Sequence, residues 1–169
     1  NHSSFDDPND LPWGLQALAQ WAPGPELQWV AADGTPMDLD DLTSFSVAVL
    51  TQESAFLFEA MQRGQKFERT GQKLFSYTCG GAHLVQGAAY AVARGFGQPE
   101  DRSAICDQLD LLRWRIDVEL GAVDPLLQQP GLERAVGIVL LSQRLKFLGH
   151  WLETTHKIGA RSEEHTSEL

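Results

Sequence analysis

Basic side chains are scarce in this chain: 13 Lys and Arg stand against 23 Asp and Glu, for a formal net charge of −10. Phosphate backbones are gripped by clustered Lys and Arg, and no such cluster occurs, so no nucleic-acid partner is expected and anionic membrane surfaces are disfavoured. Cysteine is almost absent. Cys79 and Cys106 are too few for a disulfide framework, and no Cys-x-x-Cys pair is present. Long apolar runs are missing as well: even AV plus IVLL around Gly137 falls far short of the ~18 residues a membrane span requires. There is also no P-loop, dinucleotide-binding glycine fingerprint, His-Glu-x-x-His zinc motif or Gly-x-Ser-x-Gly elbow.

What is present is helical periodicity. Residues 1–37 combine Pro and Gly with one short helical turn, LQALAQW, and a turn signal at Asp33-Gly34, and read as an irregular approach segment with a short hairpin at most. Residues 38–160 read as a helical domain, with helices expected at about 40–63, 78–94, 101–124 and 132–156. Asp38 or Asp40 is the expected N-cap of the first, Gly64 its stop, and Pro125 should end or kink the third. The sum is an all-α fold, an antiparallel bundle or paired-helix array of about four main helices, which a fragment of a larger helical domain would also resemble. The last nine residues, RSEEHTSEL, resemble the in-frame translation of a sequencing-library adapter, so 161–169 is set apart from the folded domain. The opening NHSSFDD lacks a Met, and further sequence is expected beyond both ends, where a protein partner could also bind.

Residues that violate their own helix's pattern are the candidates for function. On the first helix Glu53 falls within an arc of Leu42, Phe45, Val49, Phe56, Leu57 and Ala60. A carboxylate facing a core must be paired, metal-bound or protonated. Arg144, on the apolar side of the last helix with Leu140, Leu148 and Trp151, is the expected partner. The plain reading is a structural ion pair, or an Arg that snorkels to water.

The second helix supplies a stripe. Cys79, His83, Gln86 and Tyr90 recur at spacings of four, three and four, and Arg94 extends the line. A solvated face would carry Lys and Glu; these side chains bind metals, move protons or orient hydrogen bonds. Gly80 and Gly81 would bare backbone N–H groups to an anion at the helix start, or else serve only close packing. A third feature, HWLETTH, places His150, Glu153 and His156 together, but the two histidines project about 120° apart on an ideal helix and share their arc with Lys146, Ser142 and Gln143. That arc reads as a solvated face.

Two functions follow. One is an interhelical polar pocket for a small ligand or metal, with catalysis open. There His83 is general base or ligand to a divalent metal, Glu53 its carboxylate partner or second ligand, and Cys79 a nucleophile favoured by a helix N-terminus. Gln86, Tyr90, Arg144, Gly80 and Gly81 would then bind a small anionic ligand. The other is a non-enzymatic interaction or scaffold module, with the stripe on an open surface and Leu111, Trp114 and Val118 as a contact patch.

Overall fold

The structure, a computed structural model, describes residues 10–24 and 27–166, with side chains as far as His156. Residues 1–9 of the opening segment and 167–169 of the tail lie outside the described residues. Helix α1 spans Leu11–Trp21, strands β1 and β2 span Gln28–Val30 and Pro36–Asp38, and α2 spans Leu39–Arg63. Two 3₁₀ turns, Lys73–Ser76 and Thr78–Gly81, lead into α3, Ala82–Ala93, followed by α4, Pro99–Leu127, and α5, Arg134–Thr166. The fold is all-α. Among the described residues no helix is long and apolar enough to cross a membrane.

The expected signals act where they were read. Asp38 caps α2 by accepting from the N–H groups of Asp40 and Asp41, and Gly64 stops it in the left-handed conformation at φ 61°. The Asp33-Gly34 turn closes the hairpin, pairing Trp29 with Met37 in antiparallel register. Two expectations change: residues 11–21 form a full helix rather than a single turn, and Pro125 sits inside α4, which runs on to Leu127. The 161–169 tail continues the backbone of α5 as far as Thr166.

Helix α3 is the centre. It packs against all four other helices, and from Leu84 to Ala91 every residue is buried. A helix apolar nearly all round belongs in a core, and its run of Ala and Gly keeps it thin. Around it lie Val47, Leu50 and Leu57 of α2 and Ile105, Leu111 and Leu112 of α4, with Phe147 of α5; each large side chain so buried contributes about 1.5–3 kcal/mol. A second cluster, Leu15, Ala19, Leu39, Tyr90, Ala91 and Phe96, fixes α1 to the other side.

The buried face of α2 is rotated from the arc read in sequence. It includes Thr43, Ser46 and Ser54, whose hydroxyls donate to the carbonyls of Leu39, Leu42 and Leu50, each at 2.7 Å. A hydroxyl satisfied in this way is no obstacle to burial. Ser54 also holds Gln108 of α4, whose Nε2 donates at 2.8 Å. Glu53 is thereby left half-exposed beside the buried row. The contact patch proposed on α4 is covered as well: Leu111 is 2% exposed, and Trp114 packs on Phe67 at 5.8 Å between ring centres. The connector before α3, polar on average, carries Phe67 and Phe75 across it in a stacked pair. On α5 the apolar side chains Ile138, Val139, Leu145 and Leu152 face outward.

Gly87 sets how closely α1 can approach. A Cβ there would stand 2.8 Å from both the Cα and the carbonyl oxygen of Pro12, backbone atoms that cannot turn aside. Gly87→Ala gains helix propensity of about 1 kcal/mol, yet it must displace α1. The expected net outcome in urea unfolding is a loss of about 1–3 kcal/mol, the usual range for overpacking. An unchanged midpoint would mean that α1 is not docked as described.

Candidate functional site

The 3₁₀ turn ahead of α3 has unusual backbone. Cys79, Gly80 and Gly81 are all left-handed, at φ 54°, 61° and 80°, and Cys79 is the one non-glycine with positive φ among the described residues. Such a conformation costs an L-residue roughly 1–2 kcal/mol. The two glycines have local reasons to be there. A Cβ on Gly81 would lie 2.4 Å from Leu74 Cδ1, and one on Gly80 would lie 3.3 Å from Arg115 Nη2 and from the Phe75 ring. Neither belongs to the first turn of α3, where the sequence pattern places them; both lie in the 3₁₀ turn before it. The Gly80 N–H donates to Tyr77 O at 2.9 Å, so it is not bared to an anion.

This turn delivers the Cys79 thiol to two imidazoles. His150 Nε2 of α5 lies 3.1 Å from Cys79 Sγ, and the His83 and His150 rings meet edge to face with centres 4.0 Å apart. Cys79, His83 and His150 each offer a ligand atom, all within 4.8 Å of one another. All three are partly buried. Trp13 of α1 closes the far side of His83, at 4.1 Å between ring centres, and Glu153 reaches to 4.0 Å from His150 Nδ1. His83 and Cys79 were expected here, and His150 was not. Its pairing with His156 fails as expected, since His156 is exposed.

The remaining candidates separate. Glu53 is not part of this cluster. Arg144 is half-exposed and pairs with Asp124 of α4, not with Glu53. Gln86 and Tyr90 are buried, 5% and 6% exposed, because α1 covers the stripe; Tyr90 donates its hydroxyl to the Gln20 side chain, and Arg94 Nε donates to Ala19 O at 3.3 Å. The stripe is therefore no open surface. Sequence reasoning missed Arg115, 2% exposed, whose Nε donates to Glu119 at 2.8 Å under the Phe75 and Phe147 rings.

Hollows flank the cluster on two sides. Cys79 and Gly80 border a cleft of about 280 Å³ walled by Arg69, Phe75, Arg144, Lys146 and Phe147. His83 borders a groove of about 450 Å³ beneath α1. No family model, curated protein or solved structure matches the chain.

Burial holds His150 below the ordinary histidine value of 6.5; Glu153 opposes this and Lys146 adds to it. With the folded value depressed, the unfolded chain takes up the proton first as pH falls. Stability that is complete above the unfolded value is then lost on the way down. The metal-free chain should show a urea midpoint falling between about pH 7 and pH 5, and His150→Gln should flatten that fall. Parallel profiles for the two would remove His150 as the source.

Proposed function

We propose that this chain is a metal-dependent helical domain in which Cys79, His83 and His150 hold one divalent cation of zinc type. The observation that carries the proposal is the convergence of three ligand atoms within 4.8 Å from separate parts of the fold. A soft thiolate with two imidazoles suits zinc, whose bonds of ~2.0–2.3 Å would set tetrahedral ligand atoms roughly 3.3–3.7 Å apart. The Cys79 Sγ–His150 Nε2 pair, at 3.1 Å, is already near that spacing. Glu153 beside His150 Nδ1 is placed to orient that ring, the outer-shell partner that metal-bound histidines usually have.

Three protein ligands leave a fourth position for water or substrate, the pattern of catalytic rather than structural zinc. Such a metal polarises a bound oxygen or makes its water acidic enough to act as a nucleophile near neutral pH. The cleft at Cys79 would admit a small anionic ligand between Arg69, Arg144 and Lys146. Hydrolysis of such a ligand is the chemistry this geometry supports best.

One observation favours a second reading. At 3.1 Å, Cys79 Sγ and His150 Nε2 are at hydrogen-bond distance, so the thiol proton can pass to His150 and leave a thiolate nucleophile, with Glu153 orienting the imidazole.

Metal analysis of the purified chain, loaded with zinc or cobalt and desalted, separates the readings. Near one equivalent is expected, with a thiolate-to-cobalt absorption band, and His83→Ala and His150→Ala should lose it. Cys79→Gly should abolish the band while leaving stability unchanged or raised by up to about 1 kcal/mol, since glycine relieves the left-handed strain. A folded parent that takes up no metal overturns the metal reading. Alkylation of Cys79 far faster than of exposed Cys106, dependent on His150 and without metal, would then select the thiol.

A further inference from the structure

The groove under α1 has a chemistry of its own. Trp13, Gln16, Gln20 and Trp21 line one side from α1, with Gln86 of α3 and Glu153 of α5 opposite. The α1 residues fall at spacings of three, four and one, so a single face of that helix looks into the groove. Trp21 is 82% exposed and Trp13 49%, so both indoles are accessible where they line the groove. Gln86 is 5% exposed, and its Nε2 has no hydrogen-bond partner. A buried donor without a partner is costly, and native structures keep few of them.

These features select a ligand class by elimination. An anion would meet Glu153 and no Lys or Arg in the lining. A quaternary ammonium would suit two indoles and a carboxylate, but it has no acceptor to offer the Gln86 N–H. A purely apolar ligand fails for the same reason. A neutral ring rich in hydroxyls satisfies every group: its C–H face stacks on an indole, and its oxygens accept from and donate to planar amides and a carboxylate. The volume, about 450 Å³, lies within the ~300–1,000 Å³ usual for small-molecule sites. We infer that the groove between α1, α3 and α5 is a saccharide-binding site, with Trp13 and Trp21 as stacking platforms and Gln86 as the buried hydrogen-bond donor.

The inference goes beyond the metal reading, sharing His83, which contacts Trp13, and Glu153, which lies beside His150. Its test is tryptophan emission of the full chain titrated with glucose, galactose, mannose and N-acetylglucosamine, in the metal-free and zinc-loaded states, with choline and inorganic phosphate as controls. Saturable change with at least one sugar at a Kd below about 10 mM is expected. Trp21→Ala, at a site too exposed to matter for folding, should weaken it about tenfold. Gln86→Leu should weaken it similarly while leaving the unfolding midpoint equal or higher, because the orphan donor is gone. A purely structural Gln86 would not divide binding from stability in that way. No response to any of the four sugars, a response unaffected by both substitutions, or saturation by choline or phosphate instead overturns the assignment. Metal content measured on the same samples reports the fate of the other site separately.

Discussion

The close approach of α1 to α3 is the constraint on which the rest of the molecule depends. Helix α3 can stand at the centre of five helices only because Gly87, Ala88, Ala89 and Ala91 keep it thin, and at Gly87 the backbone of Pro12 lies where a side chain would otherwise be. That contact places α1 over the Gln86–Tyr90 face and brings Trp13 against His83. With α5 on the adjoining side, His83 sits where three helices meet. The site is thus a by-product of a packing solution, and its position follows from where the small residues lie.

Much of this was legible. Asp38, Gly64 and the periodicity of α2, α4 and α5 act through local rules that need no knowledge of the partner surface, and the sequence pattern placed these helices. The Cys79–His83–Gln86–Tyr90 line was visible because it lacked the Lys and Glu of a solvated face. Helix α1 was not, since flanking Pro and Gly disguise eleven residues whose stability comes from packing on α3. The arc of α2 was misplaced because Thr43, Ser46 and Ser54 count as polar in a sequence, yet each hydroxyl is satisfied by its own helix. That error made Glu53 look buried and gave Arg144 a partner it does not have; Asp124, on the neighbouring α4, holds it instead.

His150 shows the limit of reading one helix at a time. On α5 its neighbours describe a solvated arc, and by angle it cannot join His156. What makes it a site residue is Cys79, 71 positions away in sequence, and no periodicity within α5 carries that information. Arg115 escaped for a related reason: its pairing with Glu119 is local, but its burial between Phe75 and Phe147 depends on the connector that folds back over α4.

The three features that make the Cys79 cluster costly would share one remedy if it holds a metal. Cys79 is held in a left-handed conformation, two imidazoles stand edge to face at 4.0 Å, and burial disfavours a proton on His150. Burial works against charging the His150 ring, so the arrangement is more stable while that ring stays neutral. Neutral imidazoles and a deprotonated thiol are the forms that bind metal. A divalent cation bound as proposed would attract all three donors at once and would supply a reason for Cys at a position where glycine would carry no strain. Backbone strain that persists at one residue needs surroundings that over-determine it, and here those surroundings are the Gly80–Gly81 turn packed on Leu74, Phe75 and Arg115. The turn fixes where the thiol points, and α5 brings the second imidazole to it.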